Sequence, residues 1–151
     1  MGDIRINAEG DGEWIMGLCG GVFRPGVDQT IVNYRSGERA GGFALSDYMG
    51  HSIAVHMAGT SPRWCSRDLL SMVFHYGFVQ LGCGKMLAPV ASDNYRALEL
   101  DLRAGWQIEA VLRDVLAPGR HLMVLGMTRE SCPWLKRPVK EYATEPSLGR
   151  M

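Results

Sequence analysis

The stretch Ala91–Trp106, which reads ASDNYRALELDLRAGW, decides how this chain folds. Its first residues favour turns, and Ser92 or Asp93 offers the side-chain oxygen that caps the start of a helix. Helical spacing then predicts a packing face made of Ala97, Leu98, Leu102 and Ala104. Gly105 stands where a left-handed residue ends a helix, so Trp106 is expected to return the chain to a buried strand.

Strand-like and helical segments surround this helix in a regular order. Short apolar runs separated by turn residues predict strands at Thr30–Tyr34, Ala40–Asp47, Ser52–Met57, Lys85–Ala91, Gln107–Leu112 and His121–Met127. The first three are expected to form an antiparallel meander and the last two a hairpin. A poor helix is expected at Glu13–Val22, and a better one begins at Ser66, its N-cap. This order predicts an α/β fold, with a mixed, mostly antiparallel sheet and helices on both faces.

Composition and charge narrow the class of protein to which the chain can belong. The chain has 151 residues, 46% of them hydrophobic and 21% charged, which is typical of one globular domain. Sixteen basic residues balance sixteen acidic ones, so net charge does not indicate nucleic acid, although a local basic patch stays open. No apolar run suits a signal peptide or membrane span. Residues 1–135 are expected to form the domain, and residues 136–151 a flexible tail.

The cysteines and histidines give no sign of a metal site. The four cysteines are widely spaced, with no Cys-x-x-Cys pair and no histidine cluster of zinc spacing. We therefore expect no metal ligand, and we expect reduced thiols in a cytoplasmic protein.

The motif N-x-x-A-x-x-L at residues 94–100, followed by Gly105-Trp106, resembles a segment of the Gcn5-related N-acetyltransferase superfamily, with Trp in place of the family's Phe. The strand–loop–helix unit before it and the hairpin after it extend the resemblance over about Ile31–Leu135, nearest the ribosomal-protein N-terminal acetyltransferase branch. The resemblance implies an acyl-CoA N-acyltransferase fold, with acetyl-CoA as co-substrate. It also implies a splayed pair of parallel strands, which suits Pro89, although Pro89 alone would indicate an edge strand.

The same resemblance implies a coenzyme A site where the loop Ser61–Ser66 joins a strand to a helix start. Free N–H groups and the positive end of a helix dipole attract phosphate at such a place. The implied cofactor-binding residues are Val55, Met57, Arg63, Trp64, Cys65, Ser66, Arg67 and Asn94. Trp64 and Ser66 stand where the family's loop has glycines. Arg63 and Arg67 can supply charge instead, and the alternative is a solvated helix start with two surface arginines.

The family's chemistry implies a base that takes a proton from the acceptor amine. His56 is the first candidate and Asp47 the second, while the alternative for His56 is a core histidine bonded to a carbonyl. The family's tyrosine acid, which protonates the departing thiolate, corresponds here to Asp101, and an ionised carboxylate cannot donate a proton. That leaves solvent, another group such as Tyr95, or a protein that binds acyl-CoA without efficient turnover.

The predicted function is transfer of an acetyl group from acetyl-CoA to a primary amine by direct attack on the thioester. The acceptor stays open between a small molecule, a protein N terminus and a nucleobase amine, and a homodimer is also left open. Two alternatives belong to other classes. One is a non-catalytic acyl-CoA-binding module, and the other is an interaction protein in which Trp64 fills the phosphate pocket.

Overall fold

A computed structural model describes residues 2–137 of the chain. These residues form one seven-stranded sheet and three α-helices. In chain order the elements are β1 (Gly2–Ile6), α1 (Asp11–Cys19), β2 (Gln29–Arg35), β3 (Glu38–Ser46), β4 (Ser52–Gly59), α2 (Arg67–His75), β5 (Lys85–Ala91), α3 (Tyr95–Ala104), β6 (Gln107–Ala117) and β7 (Arg120–Thr128). A π-helical turn, Tyr76–Gln80, prolongs α2, and a 3-10 turn, Pro133–Lys136, follows β7. The predicted strands and helices are confirmed, with longer hairpin strands than expected.

The sheet joins an antiparallel meander to an antiparallel hairpin. The strand order is β1-β2-β3-β4-β5-β7-β6. β4 and β5 are parallel and are connected through α2, and their pairing runs only from Ser52 opposite Lys85 to Ala54 opposite Leu87. Beyond that point the two strands separate. The predicted fold class is therefore confirmed, including the splayed parallel pair.

Side chains that alternate along the strands divide the core between two faces of the sheet. The α2/α3 face holds the larger cluster, which includes Phe43, Leu45, Ile53, Val55, Leu69, Phe74, Trp106 and Leu125. The α1 face holds a smaller cluster made of Ile15, Met16, Val32, Tyr34 and Ala44. Each large aliphatic or aromatic side chain in these clusters contributes about 1.5–3 kcal/mol by leaving water, so the two clusters hold helices on both faces.

The two helices on the larger cluster begin with different caps. Ser66 caps α2 as predicted, since its Oγ accepts a hydrogen bond from the N–H of the residue three places on at 3.1 Å. The predicted caps of α3, Ser92 and Asp93, are wrong, because Asn94 Oδ1 accepts the equivalent bond there at 3.3 Å. Ser92 and Asp93 instead bond to His121 and Arg120 of β7. These residues thus tie the helix start to the hairpin.

The packing face of α3 differs from the predicted one at a single residue, since Ala97, Leu98 and Ala104 pack inward as expected. Leu102 was expected inside but is 49% exposed, and Asp101 is only 2% exposed. The inward stripe runs through Ala97, Leu98, Asp101 and Ala104, at spacings typical of one helix face. Gly105 has φ 112° and ends the helix as predicted.

The C-terminal end of the described chain is attached to α2. Arg137 donates a hydrogen bond to Asp68 at 2.9 Å, and Lys136 lies in the 3-10 turn. The rest of the predicted tail, residues 138–151, lies outside the described residues, so the division at residue 135 stays a prediction.

Two features bear on the setting of the protein. All four cysteines lie within residues 2–137, and all are free thiols. Of the helices in the same range, none has both the length and the apolar character that crossing a membrane requires.

Candidate active site

The gap between β4 and β5 organises the candidate site. After Ala54, no strand of the described chain pairs with the edge of β4 that faces β5, so this edge is open from Val55 onward. β5 remains paired with β7, and Pro89 has no N–H to offer across the gap. The thiol of Cys19, at the end of α1, donates to the carbonyl of Met57 at 3.4 Å. Val55 and Met57, predicted to contact the cofactor, thus lie beside an open strand edge.

His56 lies between these two residues in sequence and faces the α1 side of the sheet. It is half-buried and stands opposite Ala44 of β3. Its Nε2 lies 2.9 Å from Ser46 Oγ, which donates its proton to Asp47 Oδ2 at 2.9 Å. Because a hydroxyl has one proton, Ser46 must accept from His56 Nε2–H, and this leaves His56 Nδ1 with a lone pair. The structure joins both predicted bases in one chain of hydrogen bonds, the His56–Ser46–Asp47 chain.

Burial and charge act in opposite directions on His56. Burial lowers the pKa of His56 from its ordinary value, and the carboxylates of Asp47 and Asp28 oppose that shift. Arg24 stands between the two acids, with its guanidinium 3.0 Å from Asp28 Oδ1 and 3.3 Å from Asp47 Oδ1. His56 is therefore mostly neutral near neutral pH and can accept a proton.

Trp64 occupies a space that two glycines of the sheet leave open. The indole lies against the sheet at Gly41 and Gly59, which are opposite each other on β3 and β4. A Cβ at Gly41 would come within 2.5 Å of the indole Cδ2, and one at Gly59 would overlap the same ring. Phe43 packs against the indole with the ring centroids 5.7 Å apart. The glycines that allow close approach are thus in the sheet beneath the loop.

Two side chains of β2 fix the loop backbone. Asn33 Nδ2 donates to the carbonyl of Trp64 at 3.0 Å, and Arg35 donates to the carbonyl of Arg63 at 2.9 Å. Arg63 has φ 61°, a left-handed conformation that costs a non-glycine residue roughly 1–2 kcal/mol. These bonds and the seated indole offset that cost and hold the loop in one shape.

A groove of about 490 Å³ lies between this loop and α3. Its charged lining residues are Arg63, Arg96, Glu99 and Arg103. Three arginines against one glutamate leave a net charge of +2, and Glu99 is paired with Arg103 at 2.8 Å. Sequence analysis missed Arg96 and Arg103, although a spacing of seven residues places them on one helix face. The groove is electropositive and adjoins the start of α2.

Asp101 lies in the interior behind this groove. No group among residues 2–137 hydrogen-bonds to its Oδ2. Burial raises the pKa of Asp101 from 3.8 to about 7. Burial, with a smaller contribution from Asp101, raises the pKa of the Cys65 thiol to about 12, so the two groups are within electrostatic range. Burial thus favours the protonated form of Asp101, against the expectation drawn from its ordinary pKa.

The other predicted site residues are distributed around the same loop. Arg63, Trp64 and Cys65 form one wall of the groove. Ser66 uses its hydroxyl as the α2 cap, and Arg67 does not line the groove. Tyr95, the alternative proton donor, is 76% exposed at the start of α3. Whether any of them contacts a cofactor stays a prediction.

No protein-family model and no curated protein sequence matches the chain. Its structure is similar to that of mutant forms of the spermidine/spermine N-acetyltransferase SpeG from Vibrio cholerae, with a TM-score of 0.70, 16% identity, and coverage of 91% of this chain and 99% of that one. A single-residue variant of SpeG has a TM-score of 0.69 and 16% identity, and the match covers 90% of this chain and 97% of that one. A protein from Desulfovibrio desulfuricans, assigned to the GNAT (Gcn5-related N-acetyltransferase) family, has a TM-score of 0.67 and 16% identity. That match covers 85% of this chain and 99% of the other. The chain has the GNAT fold, and the narrower resemblance to the ribosomal-protein branch gains no support.

Proposed function

We propose that the protein is an N-acetyltransferase that moves an acetyl group from acetyl-CoA to a primary amine, which attacks the thioester directly. The observation that carries this proposal is the arrangement along β4, where an open backbone edge, a half-buried histidine and a groove lined by arginines follow one another. Acetyl-CoA supplies the activated acyl group. Open strand edges can pair with the amides of an extended ligand, and arginines suit its phosphates, so the residues present fit this co-substrate.

His56 is the proposed base. Its Nδ1 lone pair takes the proton of the attacking amine, and the His56–Ser46–Asp47 chain fixes the ring through Nε2. Asp47 is then a positioning residue that acts through Ser46, and its charge stabilises the imidazolium that forms. Burial keeps the base neutral and ready to accept a proton at neutral pH.

Asp101 is the proposed proton donor for the departing thiolate. Its pKa of about 7 keeps part of the carboxyl protonated at neutral pH, and the Oδ2 has no hydrogen-bond partner in the described part of the chain. His56 acts as a base only at pH values above its pKa, and Asp101 acts as an acid only at pH values below its pKa, so activity is confined to the pH range between them. We therefore expect a bell-shaped rate profile whose alkaline limb belongs to Asp101.

The acceptor is proposed to be a small cationic amine. SpeG is named for spermidine, and the fold resembles it. Near His56, Asp28 and Asp47 face one guanidinium, that of Arg24, and two negative charges against one positive leave a local charge of −1. Spermidine is therefore the first acceptor to test, followed by a peptide N terminus and a nucleobase amine. A cytoplasmic location remains a prediction.

A melting curve and a thiol-release assay test the proposal together. Acetyl-CoA at a hundredfold excess over its dissociation constant should stabilise the protein by roughly 2.7 kcal/mol, and pantetheine, which lacks the phosphates, should stabilise it less. Release of free thiol should then require one of the three amines. A thermal shift without thiol release supports the non-catalytic binding module instead. No thermal shift would leave only an interaction protein with this fold.

A further inference from the structure

Arg24 bridges the two acids beside the proposed base, and the two halves of this bridge differ in strength. The Asp28 side chain is buried, and its carboxylate accepts from the Arg24 backbone N–H at 2.9 Å, from Nη2 at 3.0 Å and from Nε at 3.4 Å. The Asp47 side chain is 63% exposed, and its Oδ1 accepts one bond, from Nη2 at 3.3 Å. A buried pair with several bonds is costly to break, whereas an exposed single contact stabilises little. Arg24 is therefore held firmly by Asp28 and weakly by Asp47.

A tight turn fixes the strong half of the bridge. The N–H of Asp28 donates to the carbonyl of Arg24 at 2.9 Å, and Gly26 between them has φ 77°, a left-handed conformation that glycine adopts without strain. The Nη2 group has two N–H donors, so each acid can take one of them. Loss of the Asp47 bond therefore leaves every bond to Asp28 intact.

The charges of this bridge can accept one further cation. Two carboxylates against one guanidinium leave a local charge of −1. Asp47 Oδ1 is the exposed end of the group, and the other oxygen of the same carboxylate accepts from Ser46 at 2.9 Å, which lies 2.9 Å from His56 Nε2. One carboxylate and two short contacts thus separate Oδ1 from the imidazole. A flexible diamine can place one nitrogen at His56 and another at Asp47.

Exposed apolar side chains flank the charged group along the chain. Val22 is 80% exposed, Met49 72% and Val27 38%, and each lies within two residues of one of the three charged side chains. The methylene segments between the nitrogens of a polyamine are apolar and gain by covering such side chains. An inorganic cation has no apolar part and gains nothing from them. The surroundings therefore suit an alkyl polyamine.

We propose that Arg24 competes with the acceptor for Asp47: Asp47 Oδ1 binds a second, non-reacting ammonium of a di- or polyamine, and Arg24 gives up that oxygen when the ammonium arrives. This inference rests on the proposed function, in which His56 is the base. In the empty site, Arg24 keeps Asp47 oriented within the His56–Ser46–Asp47 chain. A monoamine leaves the Arg24 bond in place, whereas a polyamine replaces it with a charge-assisted bond of its own. Arg24 is thus a specificity-determining residue.

Calorimetric titration of the full chain with spermidine and with n-butylamine, in the presence of coenzyme A, tests the proposal. Arg24→Gln combined with Asp28→Asn removes the competitor together with its buried partner, so no buried charge is left unpaired and the local charge stays at −1. This double variant should bind spermidine about two- to fivefold more tightly, the factor by which an exposed ion pair stabilises, and should bind n-butylamine as the parent does. Asp47→Asn should weaken spermidine about tenfold and leave n-butylamine unchanged.

A second double variant is the matched control. Asp3→Asn combined with Arg5→Gln removes an ion pair of 2.8 Å from β1, and both affinities should stay at the parent values. Thermal unfolding shows whether each variant is folded. Because Asp47 is exposed, its variant keeps the proposal testable even if the Arg24 double variant is unstable.

The proposal is wrong if the parent does not bind spermidine, if the Arg24 double variant does not bind it more tightly, or if n-butylamine gains as much. Unchanged spermidine affinity in Asp47→Asn would also refute it. The readout is binding, so its failure is distinguishable from failure of the proposed function. The expected shifts without thiol release would retain the ammonium site and refute the acetyl transfer. Thiol release without these shifts would do the reverse.

Discussion

The two faces of β4 contain different chemistry on neighbouring residues. On the α1 face, His56 belongs to a hydrogen-bonded chain with Ser46 and Asp47. On the α2/α3 face, Val55 packs into the core, and Gly59 lies beneath Trp64 at the edge of the arginine groove. The two-residue period of a strand separates these roles across the sheet. If the proposed function is right, changes on the α1 face should alter rate. Changes on the α2/α3 face should alter affinity or stability, apart from Asp101, whose loss as the proposed proton donor should also lower the rate.

The largest expected effect is that of His56→Gln on the α1 face. Removal of a general base should lower kcat for the best acceptor by about 10²–10⁴-fold, while the affinity for coenzyme A should stay within about twofold of the parent value. Thiol release and equilibrium binding measure the two quantities. His51→Gln is the matched control, because His51 is exposed just before β4. Equal losses in both variants, or an equal loss of affinity and rate, would contradict the division between faces.

Asp47→Asn separates the two candidate bases. Asp47 raises the pKa of His56, so its removal should lower that pKa further and move the acid limb of the rate profile to lower pH. A base role for Asp47 itself would instead abolish the limb together with most of the activity. The pH dependence of kcat over the acid range distinguishes the two outcomes.

The next effect is one of stability on the α2/α3 face, at Asp101. Its folded pKa of about 7 lies above the ordinary 3.8, so the folded state holds a proton that the unfolded state gives up between these values. Stability should therefore fall as pH rises from about 4 to about 7 and then level off, by at most about 4 kcal/mol. Asp101→Asn keeps the shape without the charge.

Denaturant unfolding at about pH 5 and about pH 8 measures this difference. We expect the Asn variant to exceed the parent protein at both values, by a clearly larger margin at the higher pH than at the lower one. The groups that titrate elsewhere are common to both proteins, so the difference isolates Asp101. Parallel pH dependence in the two proteins would show that Asp101 is ionised in the folded state.

A smaller effect is expected from the arginines of the groove. Arg63→Ala combined with Arg96→Ala should weaken coenzyme A by about 10–100-fold, the range for one or two charge-assisted hydrogen bonds, and leave kcat at saturation nearly unchanged. Arg67→Ala is the comparison, because Arg67 lies near the same helix start but does not line the groove. If Arg67→Ala weakens coenzyme A binding equally, the anion site lies on the exposed side of α2 rather than in the groove. Pantetheine should bind parent and double variant alike.

The sequence predicts most of the fold because its signals are local. Short apolar runs bounded by turn residues mark the strands β2 to β7, and Ser66 and Gly105 mark helix ends. The splayed pair came from the family resemblance, because Pro89 alone would indicate an edge strand. β1 was missed because its alternation, from Asp3 to Ile6, spans only four residues, which is at the lower limit for a strand signal. Leu102 was misplaced because its apolar side chain suggested burial, whereas the inward position is taken by the polar residue before it, Asp101.

The candidate site was less predictable, because its chemistry depends on neighbours that are distant in sequence. His56 and Asp47 were chosen as rivals, yet Ser46 joins them, since β3 and β4 pair so that Ser46 and His56 become diagonal neighbours. The proton on Asp101 likewise depends on tertiary burial and cannot be inferred from a residue's ordinary pKa.

The smallest effect concerns Asn94, where capping and binding can be separated within one side chain. Its Oδ1 caps α3, and the proposed cofactor contact would fall to the Nδ2 donor. Asn94→Ala removes both groups and should cost on the order of 1 kcal/mol of stability, whereas Asn94→Asp keeps a capping oxygen and should cost little. Both variants lose the donor, so both should bind coenzyme A several-fold more weakly per folded molecule. Equilibrium binding alongside denaturant unfolding measures both effects. If affinity is unchanged in both variants, Asn94 is a helix cap alone, and the cofactor site ends at the arginine groove.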